Sequence, residues 1–191
     1  MRNNEIVKLG AVLCAITFSV ALILALANMA TIDRINFINQ KAQSDARQAV
    51  LPAASDFEEI NVEGLGQGDY KIVKNVYAGK SSGKTIGYTI GVGPMGFGGE
   101  IDMIVGIDES GKVTGINIVN FLETPGLGTK ADEPQFKDQY NGKSIDKPLV
   151  VIKNGTPKDN EIVAISGATI SSNAVTEGVN TAIKVVKEKL K

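Results

Sequence analysis

No histidine and no tryptophan occur in this sequence, and cysteine occurs once, as Cys14. A lone cysteine cannot form a disulfide within the chain. An iron–sulfur cluster needs several thiolates, and zinc and haem sites lean on histidine or cysteine. Metal ligation is therefore expected nowhere, and no residue is assigned to a metal. Without histidine the usual partner that activates a serine or threonine nucleophile is missing, so no catalytic residue is assigned either. Charge of one sign is not in excess: Lys plus Arg is 20 and Asp plus Glu is 21. That balance leaves no basic field for nucleic acid. Any redox chemistry in such a chain must come from an organic cofactor.

What is present begins with an apolar run. Residues 9–30 carry no charge and only Thr17, Ser19 and Asn28 as polar side chains. At about 1.5 Å per residue the run matches the hydrocarbon thickness of a bilayer. A single transmembrane helix at 1–30 is the expectation. A cleaved signal peptide is the rival, with Arg2 and Lys8 ahead of the run and Ala25-Leu26-Ala27 as a cleavage-type sequence. Cys14 lies mid-span behind Leu13, which suits a packed thiol rather than a lipid attachment point. A short N-terminus before a first apolar helix favours an inside N-terminus. The C-terminal domain then lies outside the cytoplasm, on a single-pass membrane protein.

Residues 31–55 continue as a polar helix, with Ile35 and Ile38 on one stripe, and Leu51-Pro52 ends it. This reads as a stalk. A domain over 56–191 follows. Residues 70–78 (YKIVKNVYA) and 85–92 (TIGYTIGV) alternate as strands, as do 100–107 and 113–120. Short strands are expected at 149–152 and 162–165, and a short helix at 135–140. The last helix is marked by Val175, Val179, Ile183, Val186 and Leu190 at steps of three and four. Lys184, Lys187, Lys189 and Lys191 crowd its end, where cations suit the helix dipole. The class is α+β: a transmembrane helix, then a mostly antiparallel sheet with a C-terminal helix.

Four short stretches bear on chemistry. GKSSGKT at 79–85 has one residue too few between its glycines for a phosphate-binding loop and runs into a strand, so it reads as a hairpin turn. Ser81 and Lys84 match S-x-x-K, but no other part of that hydrolase signature is present. PMGFGG at 94–99 places one aromatic, Phe97, among glycines that let backbone approach a flat ligand. ETPGLG at 123–128 is a turn that also presents Glu123 and Thr124, with Leu127 as an apolar cover. SGAT at 166–169 opens the last helix. Free N–H groups and the positive dipole end there suit a phosphate, and a neighbouring hydroxyl can be esterified to it. By local physics alone, ordinary helix capping is the better account of SGAT.

The pairing of ETPGLG with SGAT, together with the anchor and the GFGG loop, resembles the FMN-binding G subunits of Rnf-type ferredoxin–NAD oxidoreductase complexes. The C subunit of the sodium-translocating NADH–quinone oxidoreductase is their relative. The resemblance spans essentially the whole chain. It implies an electron-transfer subunit of a membrane ion pump, with FMN joined covalently by a phosphoester to Thr169. It further implies that Ser166, Gly167 and Ala168 lie beside the phosphate, and that Glu123, Thr124, Leu127 and Gly128 border the flavin or its ribityl chain. The implied partners are the other subunits of the complex, the lipid bilayer, and a flavin transferase that uses FAD as donor; nucleic acid is not among them. One position departs from the pattern, since Val163 stands where the family usually has Asp. The alternative is a membrane-anchored binding or scaffold subunit without redox activity, in which SGAT is only a cap.

Overall fold

The computed structural model of the chain describes residues 2–190; Met1, Lys191 and the side chains of Arg2, Asn3 and Asn4 lie outside the described residues. Two compact units are present, one ending at Ala42 and the next beginning at Gln43. The described residues of the first are helical, as part of α1 (Arg2–Val50). Along it runs a stretch long and apolar enough to cross a membrane. The polar side chains in and beside that stretch are satisfied by their own helix. Thr17 Oγ1 donates to Leu13 O at 3.0 Å, Ser19 Oγ to Ala15 O at 2.7 Å, and Thr31 Oγ1 to Ala27 O at 3.0 Å. A hydroxyl bonded back this way adds no unpaired group to an apolar medium.

The second unit is built on a five-stranded antiparallel sheet in the order β1-β2-β3-β4-β5. The strands are β1 (Asp56–Glu59), β2 (Val73–Ser81), β3 (Lys84–Val92), β4 (Asp102–Asp108) and β5 (Val113–Asn120). The β2–β3 turn is tighter than the 79–84 loop expected: Ser82 and Gly83 form it, both with positive φ. Strand β2 starts at Val73 rather than Tyr70 because Gly68–Tyr70 winds into a 3₁₀ turn. Strand β1 has no counterpart in the sequence reading, since DFEE carries three acids and one apolar residue. It pairs with β2 at the sheet edge, where charged side chains stay in water.

One face of the sheet buries Val76, Ile90, Val92, Met103, Val105 and Ile116 against α3 (Thr169–Val185), which contributes Val175, Val179, Ala182 and Ile183. The periodic stripe read in the sequence is therefore the core face, and the last turn, Val186–Leu190, widens to a π-helix. The opposite face receives the end of α1. Ala46 and Val50 pack on Ile104. Residues 43–55, read from sequence as the end of the stalk, thus include the buried Ala46, Val50, Leu51 and Ala54.

Between β5 and α3 lie α2 (Pro134–Lys137), a 3₁₀ turn to Tyr140, and a two-stranded sheet of β6 (Val150–Ile152) and β7 (Glu161–Val163). These two pair in parallel. Parallel neighbours usually need a dozen or more residues between them; strands of three residues let a shorter loop make the return.

Candidate functional site

The chain leaves β5 at Asn120, runs through Phe121 and Leu122, and turns at Thr124-Pro125-Gly126-Leu127. Leu127 N–H donates to Thr124 O at 3.1 Å and Gly126 has φ 75°, as a type II turn requires. A 3₁₀ segment from Gly128 to Asp132 follows. On the other side, β7 leads into a second turn, closed by Ala168 N–H donating to Ile165 O at 3.0 Å. Gly167 sits there at φ 79°, a conformation that other residues adopt only with strain. Helix α3 starts immediately after. Its first i→i−4 bond runs from Ser172 N to Ala168 O, so the N–H groups of Thr169, Ile170 and Ser171 point out of the helix start.

The two turns face each other across a cleft of about 340 Å³. Its lining combines Glu123, Thr124, Leu127 and Gly128 from the first turn with Gly167, Ala168 and Thr169 from the second, and Phe97 from the glycine loop. Seven of the eight residues singled out from sequence thus meet in one place. Ser166 does not; it lines a separate hollow with Lys130, Phe136, Gln139 and Val163. Ile170 and Ser171 also line the cleft, and the sequence reading passes over both.

The hydroxyl-rich helix start sorts into two groups. Three hydroxyls are buried and already used. Ser171 Oγ donates to Glu123 Oε2 at 2.6 Å. Ser172 Oγ donates to Ala168 O and accepts from Ile165 N–H, each at 2.9 Å. Thr176 Oγ1 donates to Ser172 O at 2.9 Å, which leaves its oxygen to accept from the Tyr140 phenol at 2.7 Å. Burial pushes that phenol above its ordinary pKa. No side chain caps the helix; Ala168 holds the N-cap position. No side chain of SGAT therefore caps the helix, and the Thr169 hydroxyl lies half-buried at the cleft.

A phosphorylated, flat cofactor fits these residues. The helix start supplies N–H donors and the positive end of a dipole. Phe97, Leu127 and Ile170 supply apolar walls, and Thr124 adds a hydroxyl. Among the described residues no cluster of His, Cys, Asp and Glu forms a metal site. Glu123 is 6% exposed, with both carboxyl oxygens turned to protein donors.

Comparison with known proteins follows the same lines. Residues 96–184 match the FMN-binding domain family. The G subunit of the Na(+)-translocating ferredoxin:NAD(+) oxidoreductase complex of Acetobacterium woodii is 44% identical over 188 residues, covering 93% of this chain and 90% of that one. The G subunit of the proton-translocating complex of Clostridium ljungdahlii is 36% identical over 144 residues, covering 75% and 71%. The G subunit of the ion-translocating oxidoreductase complex of Methanosarcina acetivorans is 31% identical over 188 residues, covering 96% of each. Among solved structures, the C subunit of the Na(+)-translocating NADH-quinone reductase of Parabacteroides distasonis superposes with a TM-score of 0.59 at 23% identity, covering 82% of this chain and 94% of that one. That likeness is one of fold.

Proposed function

The chain belongs to the G subunits of ion-translocating ferredoxin:NAD+ oxidoreductase complexes, and we propose that it relays electrons there through FMN held by a phosphoester on Thr169. The observation that carries this reading is the meeting of ETPGLG and SGAT across one cleft, with the Thr169 hydroxyl at the start of α3. FMN, when bound, supplies redox chemistry that no side chain of this chain has.

The residues have separable tasks. The N–H groups of Thr169, Ile170 and Ser171 meet the phosphate. Phe97, Leu127 and Ile170 exclude water from the ring. Gly128 and Thr124 border the ring or its ribityl chain, with Gly167 and Ala168 beside the phosphate. Ser166, which faces the neighbouring hollow, stays outside the contact. Attachment forms the bond from Thr169 Oγ1 to the FMN phosphorus as the pyrophosphate bond of FAD breaks. AMP leaves, and the threonine proton passes to a base. Glu123 is buried and already holds Gly98 and Ser171, and it is not assigned as that base. A flavin transferase supplies it. The apolar helix holds the chain in the plasma membrane with the flavin domain outside the cytoplasm. A covalent link keeps FMN where none is free to rebind, and the other subunits of the complex donate and accept its electrons.

Co-expression with a flavin transferase tests this. The denatured chain should fluoresce in a gel and gain the mass of FMN minus water, mapped to Thr169. Thr169→Ala should abolish both while unfolding within about 1 kcal/mol of the parent, as a half-exposed substitution does. Ser166→Ala should keep both. A wild-type chain with neither signal, or a modified residue other than Thr169, overturns the reading.

A further inference from the structure

Glu123 does not behave as a ligand waiting for a cofactor. Its Oε1 accepts the Gly98 N–H at 3.1 Å and its Oε2 accepts the Ser171 hydroxyl at 2.6 Å. Three segments far apart in sequence therefore converge on one carboxyl group: the loop at 94–99, the turn after β5, and the first turn of α3. We propose that Glu123 is the positioning residue of the cleft, latching the loop that carries Phe97 to the helix that carries Thr169.

The loop needs such a latch. It is closed on itself by Gly96 N–H donating to Gly99 O at 2.8 Å and Ile101 N–H to Pro94 O at 2.9 Å. Among the described residues, the Gly98 bond is its one hydrogen bond to the cleft. Phe97 beside it is 69% exposed, so packing does not fix the ring. Gly98 and Gly128 are needed for space rather than for conformation. Neither Gly98 nor Gly128 has positive φ. Yet a Cβ on Gly98 would lie 1.9 Å from Leu122 O, and one on Gly128 would lie 2.2 Å from Glu123 Oε2. A Cβ on Gly96 would lie 2.2 Å from Glu123 Oε1, so both loops press onto Glu123, and the Gly98 N–H comes within hydrogen-bonding reach of it. A buried carboxyl group is costly unless donors meet it, and here each oxygen has one. An amide of the same shape preserves the latch: its oxygen accepts from Gly98, and its NH₂ donates to Ser171, whose hydroxyl can also accept.

Backbone exchange in the unflavinylated full chain tests this, because the latch is independent of the flavin; only what Phe97 faces rests on that reading. In detergent, on the Thr169→Ala background, hydrogen exchange is read at the Gly98 amide with β3 and β4 amides as reference. Glu123→Ala should speed Gly98 exchange about tenfold or more, as loss of one charge-assisted bond allows. Glu123→Gln should stay within about threefold of the parent. No rise in Glu123→Ala, or a rise as large in Glu123→Gln, overturns the latch. Should Glu123→Ala also open the sheet amides, Ser171→Ala decides: a rise confined to Gly98 supports the latch and no rise overturns it. In flavinylated protein, the visible circular dichroism of the flavin should change in Glu123→Ala and return with Glu123→Gln; a flavin signal unmoved by either overturns the positioning role. If the wild type never carries flavin but the exchange pattern holds, the latch stands and the flavin reading falls.

Discussion

At the scale of single residues, the informative feature of the cleft is how its hydroxyls divide. Tyr140, Thr176 and Ser172 form a buried relay that ends at the backbone of the SGAT turn. Tyr140 and Ser172 are 0% exposed and Thr176 is 3% exposed. Removing the phenol with Tyr140→Phe leaves Thr176 with its bond to Ser172 O, so the cost should be about 1 kcal/mol. Thr176→Val instead strands the Tyr140 hydroxyl in the core, where an unpaired polar group costs about 1–3 kcal/mol. The double variant should be less destabilised than the sum of the two. Urea unfolding monitored by circular dichroism measures all three; strict additivity would mean that the pair does not interact. Sequence reading reaches Thr169 because paired motifs mark it. It cannot reach Ser171, whose partner is 48 residues away and whose neighbours Ser172 and Thr176 look the same in sequence.

At the scale of elements, the sequence locates β3 and β5 well because each is a short run rich in β-branched residues bounded by turns, and α3 because it has one buried face with a regular repeat. It also locates β6 and β7, expected at 149–152 and 162–165, but not how they pair or what borders them. Gln139 bonds both the N–H and the carbonyl of Val163, at 2.8 and 3.2 Å. Asn180 does the same to Leu149, at 2.7 and 2.9 Å. Two side-chain amides thus stand in for the missing neighbouring strands, and no sequence period announces that. The β4–β5 hairpin is fixed differently. Asp108 Oδ1 accepts from Ser110 Oγ at 2.7 Å and from Lys112 N–H at 2.9 Å. Partial burial pushes the Asp108 pKa up, but these bonds outweigh it and hold the group below its ordinary value. A carboxyl group lowered in the folded state stabilises above its unfolded pKa, about 4, and loses that contribution as pH falls through the folded value. Asp108→Asn should therefore lower the melting temperature at pH 7, and the gap from wild type should close as the pH falls through the folded value. A gap that persists at low pH would assign the effect to the turn geometry alone.

At the scale of the whole molecule, the question is where the flavin domain begins. Composition changes near residue 56, but the packing divides at Gln43. The reason lies on the sheet. A Cβ on Gly79 would come within 2.4 Å of Leu51 Cδ2, and one on Gly106 within 2.6 Å of Val50 O. These glycines make a furrow that admits the end of α1 and the chain after it. Arg47 lies over the Tyr77 ring at 3.9 Å, and the Thr114 hydroxyl donates to Val50 O. Val50 and Leu51 are each 3% exposed. Burying two such side chains with Ala46 and Ala54 is worth about 5 kcal/mol, a large part of what a domain of this size has to lose. A chain cut to 43–191 should keep the melting temperature that the domain shows in the full-length protein. A chain cut to 56–191 should melt more than about 10 °C lower, or not fold, and should self-associate through the bared furrow around Ile104. Thermal melts by circular dichroism with light scattering distinguish these outcomes. Equal melting of the two truncated chains would show that α1 ends outside the domain and that the furrow stabilises nothing.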